Sequence, residues 1–332
     1  MRDPGTAYEA SAQLAHLRLA IEVAGIGISA DRLPRSRRVT ANGVRVHFLD
    51  WAGRGTPIVF LHGGLLTAHT WDLVCVALSS RHRCLALDMR GHGESEWSAR
   101  ADYRVETLAA DVADFVRRVV RGPFALVGHS LGGLAAMAYA WTAPADLRAL
   151  VIVDVGVDYR RGDGVARMRE FSRRSLDGET IDDLVRRARR FAPRRDPRLL
   201  RRSLLHNLRS RPDGGLEWKY DPALRARAVE VVDAGMKALR RNAARIDCPT
   251  LVVHGAESDL ATAEQTRDLA ALVSRGSWTQ IRGTGHTIQG ENPGALAAAM
   301  DRFLSGTLAA PDEGRERSRE RVRRSARRAA GR

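Results

Sequence analysis

Lysine is almost missing from this chain. Of its 54 lysine and arginine residues only Lys219 and Lys237 are lysines, although the formal net charge is +15 over 332 residues. A surface shaped to follow phosphates ordinarily draws on both cations, the ammonium as a point charge and the guanidinium as a planar fork. An arginine-only excess in an alanine-rich chain reads instead as a bias of codon composition. The excess is also local. Residues 155–245 hold 24 basic against 13 acidic residues, and Pro311 to Arg332 hold 9 against 4. Nucleic acid is therefore not an expected partner, and the tail reads as a disordered basic extension. Cysteine is scarce as well. Cys75, Cys84 and Cys248 form neither an even framework nor a metal-ligand spacing, which excludes a disulfide scaffold, offers no metal site and suits buried thiols of a cytoplasmic protein. No run of 18 apolar residues occurs, so no membrane span is expected. The apolar N-terminal stretch LRLAIEVAGIGISA is broken by Arg18 and Glu22 and does not read as a secretory signal.

What is present is an alternation. RRVTANGVRVHFLDW reads as a β-hairpin turning at Asn42-Gly43, the dipeptide suited to a type I′ turn. Short apolar runs follow, each closing on glycine, histidine or aspartate: PIVFLHGG, CLALDMRGHG, FALVGHS, LRALVIVD, PTLVVHG and WTQIRGTGH. Nearly unbroken apolar runs fit strands buried on both faces of a parallel sheet, and helix-length segments separate most of them. The fold class is α/β, a doubly wound, mostly parallel sheet. Residues 155–245 interrupt the rhythm with Arg-rich helical patterns and no clear strand, too long for a crossover. The expected organisation is an extension over 1–38, a core over 39–154 and 246–306, a helical cap inserted at 155–245, and the tail over 307–332. The cap is expected above the carboxyl ends of the strands, where open α/β sheets bind ligands.

The chemistry collects at those strand ends. Gly128-His129-Ser130-Leu131-Gly132 fits G-x-S-x-G in its required setting, directly after a strand and before a helix, which pushes the serine hydroxyl out of the backbone. A serine needs a base to become a nucleophile. Among ten histidines, His286 in RGTGHTIQGENP follows the last strand on a glycine-rich loop that can hang over the elbow. HGAESDL then offers the orienting carboxylate. Asp259 is the choice, carried past the strand end by its turn, with Glu257 and Asp154 as competitors. Backbone N–H groups of Gly64 and Leu131 are the expected oxyanion donors. Leu65, Leu66, Trp71, Trp141, Trp218 and Tyr220 are candidates for the substrate pocket.

Taken in order, HGG, DMRGHGES, GHSLGG, HGAESD and GTGH…EN-P resemble the α/β-hydrolase superfamily with a helical cap, over residues 39–306. The resemblance implies the α/β-hydrolase fold and no cofactor. Ser130 at the elbow argues against dehalogenases and most cap-bearing epoxide hydrolases, which carry aspartate there. His129 before it argues against carbon–carbon bond hydrolases, which usually carry asparagine. The favoured reading is a serine hydrolase, esterase or enol-lactonase-like, acting on a small-molecule ester. The alternatives are an acyltransferase, a perhydrolase or a carbon–carbon bond hydrolase on the same residues, or a non-catalytic ligand receptor.

Overall fold

The computed structural model describes residues 4–158, 170–171 and 174–308. Helix α1 (Pro4–Val23) precedes the hairpin of β1 (Arg35–Ala41) and β2 (Val44–Asp50). Asn42 and Gly43 turn it with φ of 46° and 77°, the left-handed pair that a type I′ turn demands. The strand begins at Arg35, inside the stretch expected from sequence as the extension over 1–38. Its four basic and hydroxyl residues are exposed on the sheet edge while their backbone pairs with Asp50 to His47. Edge position, not apolar content, makes them a strand.

The remaining core strands are β3 (Ile58–Leu61), β4 (Cys84–Leu87), β5 (Phe124–His129) and β6 (Leu147–Val153). Between β6 and the next core strand, α5 (Ile181–Phe191), α6 (Pro197–Asn207), the hairpin β7 (Leu208–Ser210) and β8 (Leu216–Trp218), and α7 (Pro222–Asn242) intervene. The hairpin is a departure from the expected all-helical insertion; three-residue strands are too short to leave a period in the sequence. The core resumes with β9 (Thr250–Gly255), α8 (Ala263–Leu272), β10 (Gly276–Ile281), α9 (Ile288–Glu291) and α10 (Pro293–Leu308). Helices α2 (Asp72–Leu78), α3 (Val105–Phe115) and α4 (Leu131–Ala140) link the earlier strands. The sheet order is β1-β2-β4-β3-β5-β6-β9-β10, with β1 and β2 antiparallel and the rest parallel. Residues 309–332, most of the expected basic tail, lie outside the described residues, and 307–308 belong to α10.

Alternate residues of each strand serve opposite faces. Val59, Leu126, Leu150 and Val252 pack with Leu108, Leu134 and Leu239 on one side. Phe60, Val127, Val151 and Val253 meet Val74, Met300 and the N-terminal Leu17 and Ile21 on the other. The insertion has its own small core around Leu184, Leu200 and Leu204. It is fastened to the sheet domain by polar links. Thr67 donates to Asn207 at 3.1 Å, Lys219 pairs with Glu94 at 2.9 Å, and Arg202 pairs with Asp72.

The crossing of β5 into α4 depends on close approach. A Cβ on Gly132 would lie 2.4 Å from the carbonyl oxygen of His62 and 2.5 Å from that of Leu61. Backbone cannot swing aside as a side chain can. Gly132→Ala is expected to cost about 3 kcal/mol, the upper range for overpacking. The check is the urea midpoint at constant slope; an unmoved midpoint would refute the contact.

Candidate active site

The ends of the six parallel strands, β4-β3-β5-β6-β9-β10, carry the residues of the site. Ser130 follows β5 immediately and adopts φ 50° and ψ −117°, a strained conformation for a residue with a Cβ. Its N–H donates to the Val153 carbonyl at 3.2 Å, and its own carbonyl accepts from Leu134 as α4 begins. Asp154 follows β6 in the same left-handed region, φ 52°, with its N–H donating to Val253. That turn swings the carboxylate over the end of β9.

There it is surrounded by donors. Oδ1 accepts from His254 Nδ1 (3.1 Å) and Gly255 N (3.0 Å); Oδ2 accepts from Ser258 Oγ (2.5 Å) and His286 Nδ1 (2.8 Å). The carboxyl is buried, which by itself would favour the neutral form. The hydrogen bonds from His254, His286 and Ser258, with the charge of His286, outweigh burial and hold it well below the usual carboxylate range. The expectation for Asp259 is thereby corrected. It is Asp154 that bonds His286 Nδ1, and the hydroxyl of Ser258, one residue before Asp259, bonds the same carboxylate oxygen. Glu257 instead accepts from Gly283 N at 3.2 Å.

His286 is also fixed through its backbone. His129 receives Gln289 Nε2 on its Nδ1 (3.1 Å), which leaves its Nε2–H to donate to the His286 carbonyl (2.9 Å). The elbow histidine thus ties the elbow to the histidine loop. The glycine loop after β3 is pinned in the same manner. Met89 N donates to His62 Nε2 (3.0 Å), so His62 Nδ1 donates to the Gly63 carbonyl (2.7 Å). Leu65 N donates to His92 Nε2 (3.2 Å), whose Nδ1 donates to the Arg90 carbonyl. Asp88 accepts from Ala68 N (2.6 Å), Glu94 N (2.9 Å) and His47 Nδ1 (2.7 Å). Burial opposes its ionisation, yet His47 holds it down to about 2. These loops place Gly64 beside Leu131: a Cβ on Gly64 would lie 3.7 Å from Leu131 Cδ2.

Burial drives His92 and His129 down to about 3, helped in each case by a neighbouring histidine. Both are held neutral, and the consequence for stability has a definite sign. The unfolded chain protonates them near 6.5, the folded chain only near 3, so between these values unfolding takes up protons. Stability is complete above about pH 6.5 and falls on acidification. The two residues together remove about 4 kcal/mol between pH 7 and pH 5. Urea midpoints across that range check it; a flat profile would show the histidines protonated in the fold.

Ser130, Asp154 and His286 line one cavity of about 270 Å³. Its floor is the sheet domain, including Gly64, Leu65, Leu66 and Leu131, and its walls are the insertion, including Leu204, Trp218, Tyr220 and Met236. Of the expected pocket residues, Trp71 is not there. It is fully buried on the other side of the sheet against Phe60, ring centres 5.2 Å apart. Trp141 likewise belongs to the core beside α4. Among the described residues His69, Asp72 and His206 bring metal-ligand atoms within 4.8 Å of one another. The two rings stack at 3.7 Å and 15°, so no single ion lies in both ring planes, and Asp72 is already bonded to His69 and Arg202.

Known proteins resemble this chain over most of its length. The model of an alpha/beta hydrolase family matches residues 58–299. Esterase Rv0045c of Mycobacterium tuberculosis is 32% identical over 278 residues, covering 80% of this chain and 87% of the esterase. The 3-hydroxybutyrate-oligomer hydrolase of Cupriavidus necator is 28% identical over 274 residues, 78% of this chain and 92% of that one. A crystal structure of the M. tuberculosis esterase superposes with a TM-score of 0.70 at 28% identity, covering 88% of this chain and 97% of the other. No helix among the described residues is long and apolar enough to cross a membrane. With the strand order, the elbow and the matched span agreeing, this chain belongs to the α/β hydrolase family.

Proposed function

We propose that this chain hydrolyses carboxylic esters through an acyl-enzyme on Ser130, with His286 as base and Asp154 as the carboxylate that orients it. The observation that carries the reading is the 2.8 Å bond from His286 Nδ1 to Asp154, beside a cavity that Ser130 also lines. An imidazole whose Nδ1 proton is committed to a buried carboxylate presents its Nε2 lone pair outward. As Ser130 Oγ attacks the ester carbonyl, Nε2 takes the hydroxyl proton. The carbonyl oxygen becomes an oxyanion, met by the N–H groups of Leu131 and Gly64. Leu131 opens α4, so its N–H has no partner within the helix and the helix dipole favours a negative charge there. The ester C–O bond then breaks, and the alcohol leaves with the proton from His286. Water gives a proton to the same nitrogen as it attacks the acyl carbon; the Oγ–acyl bond then breaks, His286 returns that proton to Ser130 Oγ, and the acid is released. Asp154 stays ionised throughout, supported by its four donors.

The largely apolar walls, with Leu65, Trp218 and Tyr220 among them, suit a small to medium organic ester. An esterase and a hydrolase of 3-hydroxybutyrate oligomers among the relatives support the same bond type. The test is direct. A fluorophosphonate probe is expected to label Ser130, located by peptide mass spectrometry, and 4-nitrophenyl butyrate is expected to be turned over. A chain that takes no label and releases no nitrophenol would end the reading.

A further inference from the structure

Many described arginines of the insertion are answered by an acid. Arg187 pairs with Glu179, Arg202 with Asp72, Arg198 with Asp196, Arg209 with Glu217 and Arg240 with Asp158. Arg195, on the turn between α5 and α6, lines the same cavity as Ser130 and His286 and is the one arginine among its described lining residues. Its guanidinium makes no hydrogen bond or ion pair with a described residue, and Nε is sealed from solvent with no partner at all. The residue keeps some exposure at its edge, but its charge centre is deep.

Two neighbours act on it from a distance. Glu291 attracts it and Arg202 repels it. Glu291 does not serve as its ion-pair partner; that carboxylate accepts from Gly285 N at 2.7 Å and holds the loop of His286. Burial lowers Arg195 to about 10, so it remains charged at neutral pH, desolvated and without a bonded anion. Such a state is costly and is relieved by an anion that brings its own acceptors. The position is also shaped for a flat group. Arg195 lies over Gly290, where a Cβ would come 2.8 Å from its Cζ. A guanidinium with a free edge in an apolar cavity is the geometry for a carboxylate, which it can hold by two parallel bonds.

We propose that Arg195 is an anion-binding residue of the cavity, and that the ester this chain takes carries a carboxylate on its acyl or alcohol part. The inference rests on the hydrolase reading for the word ester, and on the cavity alone for the word carboxylate. Solvent-exposed arginines elsewhere attract anions weakly and are screened by salt. A buried one selects.

Binding and turnover separate the two claims. In the Ser130→Ala protein, titration calorimetry compares monomethyl glutarate, an anion, with dimethyl glutarate, its neutral counterpart. The monoester is expected to bind at least about tenfold more tightly, about 1.4 kcal/mol. Arg195→Gln in that background is expected to erase the difference, Arg195→Lys to keep part of it, and Gly290→Ala to reduce it by displacing the guanidinium. Arg198→Gln, at an exposed arginine in the first turn of α6, controls for net charge and is expected to leave the preference unchanged. Circular dichroism and melting confirm that each variant folds. Equal affinities, a preference that survives Arg195→Gln, or an equal loss in Arg198→Gln would each overturn the proposal. Hydrolysis of the two esters by the unaltered chain then reads the other claim. Selective binding without cleavage of either ester would sink the hydrolase reading and leave the arginine site standing. Cleavage of both without selective binding would do the reverse.

Discussion

Ser130→Ala is expected to lower kcat toward 4-nitrophenyl butyrate by about 10⁴- to 10⁶-fold, with KM changed little. The hydroxyl is the only group removed, and it is the proposed nucleophile. What remains is the oxyanion pair and the apolar cavity, which still bind and polarise the ester, so catalysis drops toward but does not reach the rate in water alone. The variant also tests folding in the opposite direction. Ser130 holds φ 50°, and alanine keeps the same backbone strain, so its melting temperature is expected to stay near that of the parent. Residual activity within about tenfold of the parent would assign the nucleophile elsewhere.

Asp154→Asn is the second large effect, expected at about 10⁴-fold in kcat, while Asp259→Asn is expected within about threefold. The first figure follows the known cost of an amide at this place in a serine protease triad. An asparagine that accepts from His254 and Gly255 through its oxygen turns its NH₂ toward Ser258 and His286. It then donates to Nδ1 instead of accepting from it. The imidazole is forced into the tautomer with its proton on Nε2, facing Ser130, where it cannot act as base. The loss should appear in kcat with substrate binding preserved, and partial recovery above pH 9, where hydroxide assists, would fit a tautomer fault. Equal losses at 154 and 259, or a loss at 259 alone, would return the role to the β9 loop.

That pair of variants also marks where sequence reasoning stopped. The elbow was legible because G-x-S-x-G between a strand and a helix is local: its glycines, serine and flanking apolar run all lie within one stretch. His286 was legible for a similar reason, a lone histidine on a glycine-rich loop after the last strand. The acid depended on something a linear chain does not display. Asp154, one residue beyond β6, reaches His286 because β6 lies between β5 and β9 in the sheet and because φ at 154 is positive. Neither fact has a local signature, though an aspartate ending the apolar run ALVIVD is a visible hint. Trp71 lies away from the cavity for a different reason: the short helical turn before α2 carries its indole to the opposite face of the sheet. Arg195 was hidden within a crowd of arginines, since only burial and the absence of a bonded acid set it apart.

The bond from His129 to the carbonyl of His286 has a mechanical consequence. Ser130 and His286 sit 156 positions apart along the chain, on separate loops. Because the residue preceding the serine bonds the backbone of His286, the two loops are coupled like the jaws of a hinged clamp. On the proposed mechanism, that tie would help to preserve the spacing on which proton transfer depends.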